Sequence, residues 1–388
     1  MSIIPASRVV ACLRFIAGGP AEDLSTVSLA TWSELIDVAE TGGVLPALTL
    51  RLRETGILAS LDHDVRRRLD DTERMAAQAA LANQRTFVQV ARALTDADVP
   101  VVPYKGIDLA NTVYTDMRMR PMTDVDLWVR NEDLPVAVDA LANVGLVRKP
   151  SPDGNAPYPR AWDGEVKLRR RDDDHTVAEL HLGPFPGEWL HRAAKIDRAA
   201  AWDRLTPGRL LGHPILRLSP EDHALEVALH AAINSQFSYT PLRQLLDLVM
   251  LARAGLDAET LVQRAAEWRV TRPVRLAFTL AGEAYHDPST ETVSERLRAN
   301  GPRHRSGCAY ALPTLGDLVA ARHLSSTRLM RYVYFLRLTH GWSDAARLLR
   351  LGVWPEPSWL LARYGSDGPT ARLMHIGSLL SRDRRRAA

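Results

Sequence analysis

Asp124 and Asp126 stand one residue apart in Arg118-Met-Arg-Pro-Met-Thr-Asp-Val-Asp-Leu-Trp-Val129, within an apolar run that reads as a strand. Alternate strand residues share a face and rise about 3.3 Å each, so the two carboxylates sit roughly 6–7 Å apart at the backbone and can converge on one cation. Mg²⁺ prefers one or two carboxylates plus substrate phosphates, which points to a nucleotide as the other half of the site. Phosphoryl and nucleotidyl transfer need two more things: a clamp on the phosphates, and a third acidic group to finish the metal shell or take the nucleophile's proton.

Glu179 in Val177-Ala-Glu-Leu-His181 is the candidate third carboxylate, provided its strand pairs beside Asp124–Val129. Val177, Glu179 and His181 share one face of that strand. His181 reads equally as a site contact or as a packed, hydrogen-bonded histidine. For the clamp, Lys105 ends an earlier apolar stretch directly before Gly106, where the missing side chain lets backbone approach a ligand. Lysine is scarce here, limited to Lys105, Lys149, Lys167 and Lys195, which makes Lys105 more informative. Arg118 and Arg120 precede the aspartates and suit a bidentate grip on phosphate oxygens.

Other chemistry-bearing residues read more plainly. The run Asp172-Asp-Asp174 falls where a hairpin should turn and is read as a solvated loop. His230 and Asp247 are core or cap residues, with a place in an acceptor cleft as the alternative. Trp162, Trp189 and Trp202 are read as packing.

The elements that must position these groups follow from period and punctuation. Residues 1–97 read as a helical N-terminal region, with Trp32, Leu35, Ile36 and Ala39 at helical spacing and a long Ala/Arg/Gln-rich pattern from Asp62 to Thr95. Residues 98–186 form a small unit with two apolar strands, Val99–Tyr104 and Asp124–Val129, and a helix over 107–115 between them. A helix after Asn131, carrying Leu134, Val138 and Leu141, ends near Gly145. A Pro/Gly-rich loop at 150–164 precedes a hairpin of Glu165–Arg170 and Thr176–Leu182. Residues 187–388 read as a helical C-terminal domain, with clear patterns over Asp222–Ala232 and Pro241–Ala254. The fold class is therefore α+β.

Composition narrows the partners. The chain has 388 residues and 46% hydrophobic content, enough for two or three cores. A formal charge of +3 and no basic strip interleaved with aromatics argue against a nucleic-acid partner. The Arg382–Arg386 tail reads as solvated. Cys12 and Cys308 are far apart and form no CxxC pair, which fits a reducing cytoplasm. No segment approaches the ~20 apolar residues of a membrane span and none reads as a signal peptide, so the expectation is a soluble, unexported protein.

Taken together, Lys105-Gly106, the block from Tyr114 to Val129, and Glu179-Leu-His181 resemble the uncharacterised nucleotidyltransferase family of the polymerase-beta-type superfamily. The resemblance covers roughly residues 95–280, extends to Leu229-His230 and Leu245-Leu-Asp247, and is most specific in Arg-Pro-x-x-Asp-x-Asp. It implies a small mixed sheet with helices, Asp124 and Asp126 as Mg²⁺ ligands, Glu179 as third carboxylate and an NTP as donor. The wider superfamily usually has Gly-Ser where Lys105-Gly106 stands, while Tyr104 and Leu182 replace the family's usual aliphatic and aromatic residues. The implied reaction moves a nucleoside monophosphate to a small-molecule or peptide acceptor, in the setting of secondary-metabolite or modified-peptide biosynthesis. Two rival readings are transfer of another phosphate-linked group, such as a sugar phosphate, and a nucleotide-sensing or partner-binding protein without turnover.

Overall fold

The computed structural model describes residues 6–21, 24, 27–148, 164–171, 177–185, 187–300, 312–320 and 328–380. Residues 150–163 of the loop expected at 150–164, with Trp162, the Asp172–Asp174 turn, Cys308 and the Arg382–Arg386 tail, lie outside the described residues. The chain opens with α1 (Ala6–Ile16), α2 (Leu29–Thr41) and α3 (Leu45–Glu54). A long helix, α4 (His63–Asp96), follows, its first turn capped by the Asp62 carboxylate accepting from the Asp64 N–H. Its C-terminal half buries Phe87, Val90, Ala91 and Leu94.

Next come α5 (Gly106–Thr112), β1 (Val125–Trp128), α6 (Leu134–Asn143), β2 (Leu146–Arg148), β3 (Glu165–Arg170) and β4 (Val177–His181). They make a four-stranded mixed sheet in the order β1-β4-β3-β2. β1 runs parallel to β4, and the β3–β4 hairpin is antiparallel with Lys167 opposite Glu179. The register sets Asp126 beside Glu179 and Trp128 beside His181.

Two strand expectations change. Residues 99–104 form only a single bridge, Pro103 to Leu127, with Tyr104 N–H and Val102 C=O bonded to β1; Pro100 and Pro103 lack the N–H groups a full ladder needs. Strand β1 starts at Val125, so Asp124 sits in the bend before it. The helix expected to be capped by Asn131 starts after Asp133, with Pro135 in its first turn.

The remainder is mostly helical: α7 (Glu188–Ala193), α8 (Arg198–Asp203), α9 (Pro220–Leu229), α10 (Pro241–Arg253), α11 (Ala258–Glu267), α12 (Thr271–Tyr285) and α13 (Pro288–Asn300). Then follow α14 (Leu315–Val319), α15 (Arg328–Leu338), α16 (Trp342–Val353), α17 (Pro357–Tyr364) and α18 (Pro369–Leu380). Helical periodicity missed one hairpin, β5 (Thr206–Leu210) with β6 (His213–Arg217). Its two-residue turn has Leu211 at φ 47° and Gly212 at φ 86°, the doubly positive geometry of tight hairpins. No helix among the described residues is long and apolar enough to cross a membrane.

The two faces of the sheet meet different surroundings. Val125, Leu127, Val166, Leu168, Ala178 and Leu180 pack in one apolar cluster with α4 and α6. The opposite face carries Asp126, Trp128, Glu179, His181, Glu165 and Lys167 by strict alternation. Trp128 on that face belongs to a second cluster, which runs through α1–α3 and α9–α13 and so joins residues from both ends of the chain. Trp189 and Trp202 pack as expected: the first lies against Phe335, and the second meets Trp128 edge-on at 4.8 Å.

Candidate metal centre

The polar face of the sheet gathers its acidic groups at one point. Asp126, Glu179 and His181 are all buried, and one ligand atom from each lies within 4.8 Å of the others. His181 Nε2 is 2.7 Å from Asp126 Oδ1 and 3.4 Å from Glu179 Oε2. The first is a hydrogen bond, and the three ligand atoms are near enough for one cation to reach once that bond opens. The two hard carboxylate oxygens suit Mg²⁺ or Mn²⁺, whereas an imidazole nitrogen is a softer ligand that Mg²⁺ seldom takes. The sequence left His181 open; the structure puts it in this group.

Asp124 lies outside the group of three, half-buried at the entry to β1, yet it feels the same charges. Burial, then the negative charges of Asp126 and Glu179, push its carboxyl up to about 6. Asp126 behaves in the opposite way. Burial pushes it up, but Lys105 and the His181 hydrogen bond outweigh that and hold it well below the usual carboxylate range. Burial also raises Glu179, and hydrogen bonds from His181 and Lys167 bring it below its ordinary value. His181 is lowered by burial and by Lys105, and raised more by its bonds to Asp126 and Glu179.

Two lysines balance this charge. Lys105 Nζ lies 3.1 Å from Asp126 Oδ1, and Lys167 Nζ lies 2.6 Å from Glu179 Oε1. The second is a cross-strand opposite-charge pair dictated by the β3–β4 register. The sequence reading counted Lys167 among four lysines and within the Glu165–Arg170 strand but gave it no part in the site; charge alternation on the hairpin was the available signal.

Lys105 has φ 51° and ψ −125°, a region costly for any residue with a side chain. Its conformation is held by its N–H, which donates to His223 Nε2 at 3.1 Å, and by its side-chain bond to Asp126. Replacing it with glycine, which accepts that backbone shape, is expected to weaken NTP affinity about tenfold or more. The melting temperature should fall as well, because relief of about 1 kcal/mol of strain only partly offsets the loss of a buried partner to Asp126. A titration showing unchanged affinity would return Lys105 to a structural role.

Gly106 serves a different neighbour from the one expected. A Cβ there would stand 2.8 Å from Arg120 Nη1 and 3.1 Å from Met122 Cβ, so the missing side chain makes room for the arginine. Arg120 is buried and its fork is taken: Nε and Nη2 each donate to the Asp247 carboxylate at 2.8 Å. Tyr114 Oη donates to the same carboxylate at 2.7 Å. Arg118 is likewise engaged, by Asp116 and by Glu73. Both arginines expected on phosphate oxygens therefore have carboxylate partners, and Asp247 is a buried counter-ion in the core.

His223 stands behind Lys105, its ring buried between that backbone and Asp108. Burial, Arg120 and Arg217 lower it to about 3. A histidine kept neutral in the fold but protonated in the unfolded chain costs stability as pH falls below its ordinary value of 6.5. At about 1.36 kcal/mol per pH unit, the protein should lose about 2 kcal/mol between pH 6.5 and 5 that a His223→Gln variant does not lose. Denaturant unfolding at pH 7 and pH 5 checks this; parallel losses in the two proteins would contradict it.

A separate groove of about 880 Å³ runs along α4, lined by Gln84, Val88, Gln89, Ala93 and Val144 among others. None of the site residues lines it.

The mixed sheet gathers two carboxylates and a histidine between two lysines, an arrangement that can hold a cation beside an anionic ligand. The chain belongs to the uncharacterised nucleotidyltransferase family, whose model matches residues 28–286. Among solved structures, JHP933 from Helicobacter pylori is similar over 57% of this chain and 94% of its own, at 14% identity and a TM-score of 0.29. No curated protein sequence matches.

Proposed function

We propose that the protein is a Mg²⁺-dependent nucleotidyltransferase that moves a nucleoside monophosphate from an NTP to a small-molecule or peptide acceptor. The observation that carries this reading is the convergence of Asp126, Glu179 and His181 beside Lys105, in a chain of this family. Asp126, Glu179 and His181 would hold the cation, with Asp124 at the entry to the site. When bound, the cation supplies charge neutralisation for the triphosphate and for the displacement at the α-phosphorus.

The chain's own groups do the rest. His181 must give up its Nε2 proton to serve as a ligand, as metal-binding imidazoles do. Lys105 Nζ is within reach of the same space as Asp126 and offers a positive charge to phosphate oxygens once Asp126 turns to the cation. Lys167 steadies Glu179 from the neighbouring strand. Because all three ligand residues sit on paired strands rather than loops, their separation is set before substrate arrives. Residues 98–186 would provide the donor half of the site and the helices after residue 187 the acceptor half. NTP and Mg²⁺ are both cytoplasmic supplies, and we place the reaction there.

Incubation with each NTP, Mg²⁺ and a host extract tests the reading. The expected result is pyrophosphate release and a product heavier by one nucleoside monophosphate. A product carrying a sugar phosphate instead would move the reading to that donor class. NTP binding with no release and no product under any condition would leave a nucleotide sensor.

A further inference from the structure

Lys105 is the corner between the 99–104 segment and α5, and its backbone, at φ 51° and ψ −125°, stays in a region that only glycine enters freely. Such strain persists only where the neighbours over-determine the backbone. The segment behind the corner is fixed on two sides: the Trp128 N–H of β1 donates to Val102 C=O at 2.8 Å, and the Leu216 N–H of β6 donates to Val101 C=O at 2.8 Å. Lys105 Nζ ends 3.1 Å from Asp126 Oδ1. Because φ and ψ set the direction of the Cα–Cβ bond, relaxing them would turn Nζ away from that carboxylate.

One side chain from a distant helix holds the corner. His223 of α9 lies 118 positions away, and its Nε2 accepts from the Lys105 N–H at 3.1 Å. An accepting Nε2 leaves the proton of a neutral imidazole on Nδ1, and that nitrogen faces Asp108 Oδ2 at 3.5 Å. Asp108 stands in the first turn of α5, and its other oxygen accepts from Arg217 Nε of β6 at 3.1 Å. His223 and Asp108 are 3% and 2% exposed. A core needs neither, since an apolar pair fills such a place without desolvating a carboxylate. What the two supply is a fixed acceptor for one N–H, in the arrangement by which a carboxylate sets the tautomer and direction of an imidazole. Every link from β6 to the metal centre is a contact of 3.5 Å or less.

Resting on the transferase reading above, we infer that His223 is a positioning residue of the donor site: with Asp108 setting its tautomer, it holds the Lys105 backbone so that Nζ meets the phosphates of a bound NTP. Neither side chain touches the nucleotide. Removing the His223 acceptor leaves a buried N–H without a partner and lets the corner relax, so the loss falls on donor affinity by way of Lys105.

His223→Gln and His223→Asn test this by calorimetry with Mg²⁺–NTP, at a temperature well below the melting point of each variant. The glutamine carbonyl reaches the place of Nε2, whereas that of asparagine reaches only the place of Nδ1. The Kd is expected within about threefold of wild type for His223→Gln and about tenfold weaker for His223→Asn. His223→Phe, which keeps a ring and has no acceptor, carries the same expectation as His223→Asn and replaces it should that variant not fold. Asp108→Ala, which frees the ring to take the other tautomer, is expected to weaken binding about fivefold. In a Lys105→Gly background there is no Nζ to aim, so His223→Asn or His223→Phe should add less than about twofold, the non-additivity of two residues acting through one contact. Equal affinities in the glutamine and asparagine variants, or a penalty that persists in full without Lys105, make His223 a core residue and overturn the inference while leaving the transferase reading intact. Wild type that binds no Mg²⁺–NTP overturns both.

Discussion

Asp126→Asn is expected to lower Mg²⁺-dependent transfer by about a thousandfold or more, the scale on which removing a charge-stabilising group acts in such reactions. Asp126 is the hub of the site: its Oδ1 meets His181 Nε2 at 2.7 Å and Lys105 Nζ at 3.1 Å. Asparagine keeps the shape and removes the charge that a cation needs. The fold should survive, since weaker bonds to Lys105 and His181 are offset by relief of repulsion from Glu179 and Asp124, both of which feel the Asp126 charge. Asp124→Asn is the informative companion, with an expected fall of about tenfold, because Asp124 lies outside the group of three. Pyrophosphate release measured on both variants separates the cases. Equal losses would make Asp124 a ligand of the same rank, and full activity in Asp126→Asn would remove the metal assignment.

The largest stability effect is expected at Arg120. Its bidentate bond to Asp247 is buried at both ends and links the segment before β1 to α10 across 127 positions of sequence. Truncating either partner strands a charge in the core, which costs about 3–5 kcal/mol. Arg120→Ala and Asp247→Ala should each shift denaturant unfolding by that amount, and Arg120→Met combined with Asp247→Leu should recover most of it, since a well-packed apolar pair is often neutral. A loss below about 1 kcal/mol for Arg120→Ala would mean that water or a neighbour takes over the pair. NTP affinity in the double variant adds a second reading. If it holds, Arg120 supports the site through Gly106 and Asp247; if it collapses, Arg120 reaches the phosphates.

What the sequence made legible was the part of the site carried by local pattern. The Asp-x-Asp block, the alternation that puts Glu179 and His181 on one face, and the β3–β4 hairpin could all be read from spacing. Pairing of β1 with β4 was conditional on a parallel register that no local signal specifies, and the structure supplies it. Asp124 slipped out of the strand because a four-residue strand gives no margin at its ends. The partners of the arginines were hidden for a different reason. Their types suit phosphate, but their carboxylate partners lie as far away as Asp247, and nothing in the intervening sequence announces the pairing.

His223 was the most recoverable omission. It stands beside Asp222 in an otherwise apolar helical pattern, which places polar groups in a core that must pair them. That pattern was visible without coordinates. Lys105 was not. Its positive φ and its bond to His223 arise from contacts 118 positions apart, and the tertiary structure overrides the backbone preference of the residue.

Anomalous diffraction from crystals soaked with Mn²⁺ and a non-hydrolysable NTP analogue tests the metal centre directly. One strong peak is expected within bonding distance of Asp126, Glu179 and His181 Nε2, with the triphosphate running toward Lys105. A peak elsewhere, or a triphosphate bound while His181 stays hydrogen-bonded to Asp126 with no metal between them, would contradict it.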